Sequence, residues 1–146
     1  MTTVGGLSIP VAVKRAVVAH ARRDAPKECC GFLIGAGDRV DLAVPMANVD
    51  PRPRTGFRID PAEHIAVRRV IRQVLPDAGI VGVYHSHPAG PAAPSPRDIA
   101  ESHYPEWSFL ICGRAGRVIR AFRIRQGVAT PLTIKWRPAV RRRTKR

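Results

Sequence analysis

The sequence is poor in cysteine, and this excludes one common class of small protein. It contains three cysteines in 146 residues, of which Cys29 and Cys30 are adjacent and Cys112 stands alone. An odd count with this spacing does not build the disulfide framework of a secreted domain. We therefore expect reduced thiols that pack in the core.

Long apolar runs are missing as well. No stretch approaches the roughly 18 to 20 apolar residues of a membrane-spanning helix. Residues 1–6 do not combine a charged start with the apolar core of a signal peptide. We therefore expect a cytoplasmic protein without a membrane segment.

Acidic residues are few, since 11 Asp and Glu stand against 25 Lys and Arg, and the net charge is +14. Half of that charge comes from seven basic residues in the segment 135–146, which contains no acid. Aromatic residues make up only 5% of the chain and do not alternate with basic runs, so the body does not favour nucleic-acid binding. We interpret 135–146 as a disordered, solvated tail. The alternative, a nucleic-acid or acidic-partner contact, predicts salt-sensitive binding that is lost when the tail is removed.

The pattern of apolar residues predicts an α/β domain with a mixed sheet. The length suits one domain, which we place at residues 1–134. Apolar runs bounded by turn residues predict strands, and spacing of three or four predicts helices. The predicted strands are 7–9, 28–35, 39–46, 56–59, 79–84, 107–112, 118–124 and 128–134, and the predicted helices are 10–23, 60–75 and a short one from 95.

The second helix has a clear start signal. Asp60 is a suitable N-cap and is followed by Pro61 in the first turn. Ile65 and Val70 belong to the apolar face that we expect this helix to bury, with Ala66 and Val74.

The chemistry is concentrated in the segment from Tyr84 to Pro88. His85 and His87 lie two residues apart at the end of an apolar strand, so both side chains should point to the same face. Asp98 follows after a Pro/Gly/Ala-rich loop that can bring its carboxylate to the same point. Two histidines and one aspartate form a ligand set typical of a catalytic zinc site with a fourth position for water.

Other interpretations of these residues compete with a zinc site. Ser95 and Asp98 also form a capping box, and a carboxylate that binds a backbone amide is a poorer ligand. Two His and a carboxylate also bind iron in non-haem oxygenases, whose all-β setting conflicts with the two long helices. A nucleobase deaminase would require His-x-Glu and Pro-Cys-x-x-Cys, which the sequence lacks.

The combination of Glu28 before Cys30-Gly31, His85-x-His87-Pro88, Ser95 and Asp98 resembles the JAMM (MPN-plus) metallopeptidases, in particular their small prokaryotic branch. The resemblance covers residues 7–134. It implies a cytidine-deaminase-like fold, with a mixed curved sheet flanked by helices. It also implies one zinc ion with a bound water, held by His85, His87 and Asp98. In this family Glu28 would be the general base, and Ser95 would stabilise the oxyanion.

The same resemblance implies a substrate. It predicts a peptidase or isopeptidase that acts at the C-terminal glycine tail of a ubiquitin-like or sulfur-carrier protein. The released group would be a C-terminal cysteine or a conjugated protein. A catalytically silent interaction module of the same family is the alternative, and the sequence leaves the oligomeric state open.

Overall fold

The computed structural model describes residues 5–139. They form seven strands, three helices and a single 3-10 turn at Arg114–Gly116. The strands are β1 (Gly6–Pro10), β2 (Cys30–Ala36), β3 (Arg39–Met46), β4 (Gly79–His87), β5 (Ser108–Gly113), β6 (Val118–Arg125) and β7 (Val128–Arg137), and the helices are α1 (Val11–Asp24), α2 (Pro61–Val74) and α3 (Pro96–Ala100).

The seven strands form one closed, mixed sheet in the order β1-β3-β2-β4-β5-β6-β7. Strand β4 lies between β2, which is antiparallel to it, and β5, which is parallel to it. Strands β5, β6 and β7 form an antiparallel meander, and β7 pairs in parallel with β1. A single pair, Ser8 and Arg39, joins β1 to β3 and closes the sheet. The predicted mixed α/β architecture is therefore confirmed.

Helix α1 packs against one side of the sheet and supplies part of the main core. Val13, Val17 and Ala21, which are spaced four residues apart and so share one face of the helix, are all buried. A polar contact reinforces this packing, because the His20 ring nitrogen Nδ1 lies 2.7 Å from the hydroxyl of Tyr84 on β4.

Helix α2 begins as predicted but buries the opposite face. The Asp60 carboxylate accepts a hydrogen bond from the Ala62 amide, as expected of an N-cap. The predicted apolar face was wrong: Ile65 and Val70 are 55% and 57% exposed, and Ile71 is the buried residue of this helix. Apolar residues occupy both sides of α2, so the sequence pattern did not distinguish the side that meets β4.

Two further predictions are corrected. Residues 56–59 do not form a strand, because the Gly56 carbonyl and the Arg58 amide bond to the side chain of Asn48 instead of to another strand. Strand β7 continues past residue 134, and its residue Trp136 pairs with Ile9 of β1. The first residues assigned to the basic tail therefore belong to the sheet, while residues 140–146 lie outside the described part of the chain. No helix within 5–139 is both long and apolar enough to cross a membrane.

Candidate metal centre

Two imidazoles and one carboxylate converge at the end of β4. His85 and His87 are on the same face of this strand, and Asp98 is in the first turn of α3. The two Nε2 atoms are 3.0 Å apart, and the Asp98 oxygen Oδ2 is 3.1 Å from His85 Nε2 and 3.2 Å from His87 Nε2. Three candidate ligand atoms therefore form a nearly equilateral triangle.

The size of this triangle fits a zinc ion. Metal–ligand bonds of about 2.0 to 2.1 Å in a tetrahedron separate neighbouring ligand atoms by about 3.3 Å. The observed separations are slightly smaller, so a small outward movement of the side chains would admit the ion. Imidazole nitrogen and carboxylate oxygen are both ordinary zinc ligands.

The surroundings of the two imidazoles differ: His87 Nδ1 has a backbone partner, whereas His85 Nδ1 has none within the described chain. His87 Nδ1 lies 2.9 Å from the Pro91 carbonyl, which can only accept, so this nitrogen carries the proton and Nε2 is free to coordinate. His85 is fully buried, and burial lowers its pKa even though Asp98 raises it. A neutral imidazole is the form that coordinates a metal.

Asp98 acts in the capping box and in the triangle at once. Its Oδ2 accepts the Ser95 amide at 2.9 Å, and the Ser95 hydroxyl oxygen accepts the Asp98 amide at 3.0 Å. Burial alone would raise the pKa of Asp98, but the contacts with His85 and His87 hold it well below its usual value. The same oxygen therefore faces both the amide and the imidazoles, and its two lone pairs allow both roles at once.

Glu28 lies beside the triangle. One of its carboxylate oxygens and one ring nitrogen from each of His85 and His87 lie within 4.8 Å of one another, so these three residues form a second possible ligand set. The Glu28 side chain is buried, and its Oε1 forms no hydrogen bond within the described chain. Burial raises the pKa of Glu28 to about 7, against the opposing effect of His87.

Ser86 connects the two histidines to the strand that follows Glu28. Its hydroxyl oxygen accepts the Cys29 amide at 2.8 Å, and its own amide donates to the Cys29 carbonyl at 3.1 Å. Burial raises the pKa of the Cys29 thiol to about 11 and that of Cys30 to about 12, so both remain protonated. The prediction that these cysteines are packing residues is confirmed by their complete burial.

An open pocket of about 390 Å³ adjoins the triangle on the side of α2. Its wall is mostly aromatic, and His85 and Asp98 border it. The Tyr104 and Trp107 rings stack at 3.8 Å, and the His64 ring lies against Phe32 at 4.7 Å. An extended chain with an apolar side chain could therefore bind beside the triangle.

Some residues of this site were missed by the sequence analysis. Phe57 stacks on the His85 ring with 4.5 Å between centroids, and Asn48 holds the backbone around Phe57. A lone aromatic residue in a Pro/Arg-rich segment was a signal that could have indicated Phe57. Asn48 and His64 were missed because the contacts that connect them to the site, with Glu28 and with Phe32, join residues at least 20 positions apart.

Comparison with known proteins places these observations in a family. Residues 10–125 match the family described as prokaryotic homologs of the JAB domain. The desampylase of Haloferax volcanii is 35% identical over 122 residues, which are 80% of this chain and 86% of that protein. The probable TtuB-protein conjugate cleaving protease of Thermus thermophilus is 36% identical, over 88% and 82%. The CysO-cysteine peptidase of Mycobacterium tuberculosis is 35% identical, over 88% and 89%.

Solved structures show the same fold. A protein from Desulfitobacterium hafniense, whose structure was determined in solution, is 30% identical with a TM-score of 0.80 and covers 92% of this chain and 94% of its own. A JAB1/MPN domain protein from Archaeoglobus fulgidus has a TM-score of 0.57 at 17% identity, covering 88% and 98%. These similarities extend over nearly all of the sheet and include the segments that carry the triangle.

Proposed function

This chain belongs to the family of prokaryotic JAB-domain homologues, and from that premise we propose that it is a zinc-dependent peptidase or isopeptidase. The observation that carries the proposal is the triangle of His85, His87 and Asp98 with the Glu28 carboxylate beside it. A catalytic zinc site keeps one position for water beside three protein ligands, and here an open pocket is bordered by two of the three candidate ligands, His85 and Asp98. An arrangement of this kind suits hydrolysis.

His85 and His87 would hold the ion through Nε2, and Asp98 through Oδ2. When bound, zinc supplies Lewis acidity, which lowers the pKa of a water molecule from about 15.7 towards roughly 7 and polarises a carbonyl group. The hydrogen bond from His87 to the Pro91 carbonyl keeps that imidazole oriented and fixes its tautomer. The Ser95 amide does the same for the Asp98 carboxylate.

Glu28 is the general base of this proposal. Its carboxylate takes a proton from the attacking water and delivers it to the nitrogen of the departing amine, so the products are a carboxylic acid and a free amine. Its unpartnered Oε1 is consistent with this role, because a base committed to another donor could not accept the proton. Ser95 retains a hydroxyl proton, since its oxygen acts as acceptor in the capping box, and donates it to the developing oxyanion.

The substrate follows from the relatives. Their names describe cleavage of a TtuB-protein conjugate and of a CysO-cysteine bond, and a third is a desampylase. We propose that this chain cleaves after the terminal glycine of a ubiquitin-like or sulfur-carrier protein. Two glycines have no side chains that would collide with residues around the triangle, and the pocket can accept a neighbouring apolar residue.

The test is direct cleavage of two substrates. The zinc-loaded chain is incubated with a ubiquitin-like protein that ends in Gly-Gly-Cys, and separately with the same protein joined through its terminal glycine to a lysine of a second protein. Mass spectrometry identifies the products, and the Glu28→Gln variant is the control for contaminating proteases. Cleavage of one substrate identifies the class of released group. If neither is cleaved while one zinc is bound, the proposal is wrong.

The non-enzymatic alternatives gain no support from the site. A silent interaction module would not need a complete ligand set with a carboxylate beside it. The solvated basic tail with nucleic-acid contact as its alternative, a cytoplasmic location, the single domain and the cytidine-deaminase-like description of the fold stay predictions.

A further inference from the structure

Asn48 uses its whole side chain to join three backbone segments. Its Nδ2 donates to the Glu28 carbonyl at 3.0 Å and to the Gly56 carbonyl at 2.9 Å. Its Oδ1 accepts the Asp50 amide at 3.0 Å and the Arg58 amide at 3.1 Å. Both protons and both lone pairs of the amide are occupied, and only one orientation of the amide satisfies all four partners.

These bonds hold Glu28, which precedes the strand pairing of β2. The sheet register begins at Cys30, so no neighbouring strand holds the backbone of Glu28. Its carbonyl accepts from Asn48, and its amide donates to the Pro53 carbonyl at 2.7 Å. The segment between β3 and α2 therefore satisfies both backbone groups of the residue that we assign as the base.

The same side chain holds Phe57 from both sides. The Gly56 carbonyl accepts a hydrogen bond from Asn48, and the Arg58 amide donates one to Asn48. Phe57 lies between these two residues, so its ring is held where it stacks on His85. One amide thus connects the backbone of the base to the aromatic ring that covers a metal ligand.

A second attachment joins this segment to α3. The Asp50 carboxylate, which is almost fully buried, forms an ion pair with Arg97, the residue before Asp98. The Arg97 guanidinium lies against Gly56, where a Cβ would overlap it. The third ligand is therefore anchored to the same segment as Glu28 and Phe57.

We propose that Asn48 is a positioning residue, which sets the Glu28 carboxylate at its distance from the metal ligands. The proposal rests on the proposed function, because it assigns Asn48 a role in the same reaction. Asn48 does not reach the triangle itself, and it acts through the backbone of Glu28. Loss of Asn48 should therefore reduce the catalytic step while leaving zinc in place.

The test is a double-mutant cycle between Asn48→Ala and Glu28→Gln. Asn48→Ala should lower kcat about 30- to 100-fold with KM within about twofold, as expected when a catalytic group is misplaced by an ångström or less. In the Glu28→Gln background, the rate is measured by single turnover with excess enzyme. There Asn48→Ala should lower the rate by less than about threefold, because the effects of residues that act as a unit are not additive. Equal losses in both backgrounds would overturn the proposal, and so would an unchanged kcat.

Asn48→Asp keeps the shape and the acceptor oxygen but loses both donors. It should also lower kcat, because the bond to the Glu28 carbonyl is lost in either variant. Asp41→Ala is the matched control. It removes a half-exposed carboxylate on β3 that accepts hydrogen bonds from Arg39 and from Arg137 on β7. Asp41 has no contact with Asn48 or Glu28 among these bonds, so kcat should not change. Zinc content, measured on the same samples, should stay at one per chain, and loss of zinc in Asn48→Ala would overturn the proposal, because Asn48 would then support the metal ligands and not the base.

Hydrogen exchange separates this proposal from the proposed function. In the metal-free chain, Asn48→Ala should speed exchange of the Glu28, Asp50 and Arg58 amides by about tenfold or more, because their hydrogen bonds open more often. Asp41→Ala should not. If the wild-type chain cleaves no substrate, the proposed function fails, and exchange alone decides whether Asn48 holds Glu28. Unchanged exchange would remove the physical basis of the positioning role.

Discussion

Two clusters of histidine and aspartate lie on opposite faces of β4, and they differ in what remains free. On one face, His85 and His87 meet Asp98. On the other, Tyr84 contacts His20, whose second nitrogen lies 3.1 Å from Asp24. Both combine imidazole, carboxylate and a third polar group, and both are largely buried.

The difference lies in the lone pairs. Both nitrogens of His20 have protein partners, one the tyrosine hydroxyl and the other the carboxylate, so the cluster is complete without a ligand. In the other cluster, His87 has one nitrogen on a carbonyl while the other faces His85 and Asp98, and Glu28 nearby has an unpartnered oxygen. Convergence of three possible ligand atoms on one point beside an unpartnered carboxylate oxygen, and not residue type, distinguishes the candidate metal centre from a structural contact.

The largest effect is expected from His87→Ala. This change removes one corner of the triangle, so zinc affinity should fall by about 100-fold or more and turnover by about 1,000-fold or more. Metal analysis after dialysis and cleavage assays measure both. His103→Ala, which borders the pocket but not the triangle, should retain its zinc. Tight zinc binding by His87→Ala would show that the triangle of His85, His87 and Asp98 does not hold the ion, so that the two clusters would not differ in metal binding.

Glu28→Gln should have the next largest effect. The amide keeps the size of the side chain but cannot take a proton, so kcat should fall by about 100- to 1,000-fold. Zinc content should remain at the wild-type level, since the three proposed ligands His85, His87 and Asp98 are unchanged. Atomic absorption and initial rates on the same preparation test this, and retained activity would assign the base to another residue.

Ser95→Ala should cost less, because Ser95 would share oxyanion stabilisation with the metal. We expect kcat to fall by about tenfold, and the loss of the helix cap to lower the free energy of unfolding by about 1 kcal/mol. Ser95→Thr keeps the hydroxyl group and the helix cap, so its kcat and its free energy of unfolding should both stay near the wild-type values. If Ser95→Ala loses stability but no activity, the residue is a cap alone.

Tyr84→Phe, on the other face of β4, should leave catalysis unchanged. It removes the hydroxyl partner of buried His20, so the free energy of unfolding should fall by about 1 to 2 kcal/mol, while kcat and zinc content stay at wild-type values. Chemical denaturation provides the measurement. Tyr104→Phe is the stability control, since within the described chain its hydroxyl forms no hydrogen bond. A loss of zinc in Tyr84→Phe would show that the two faces are coupled.

Much of the fold and part of the site could be predicted from local pattern. Strand β3 has its predicted limits, and the capping signals at Asp60 and Ser95 predicted where α2 and α3 begin. The strand predicted at 56–59 was wrong, because the backbone of this short stretch forms hydrogen bonds with the Asn48 side chain instead of with another strand. The prediction of which side of α2 is buried was also wrong, because both sides of this helix carry apolar residues.

By itself the sequence determined that His85 and His87 point to one side of a strand and that Asp98 opens a helix, because strand period and cap geometry are properties of a few consecutive residues. Only the tertiary structure decided that Asn48 meets Glu28, 20 residues away, and that His20 meets Tyr84, 64 residues away. Such pairs depend on how the sheet closes and which segments it brings together. No local preference of the chain contains that information.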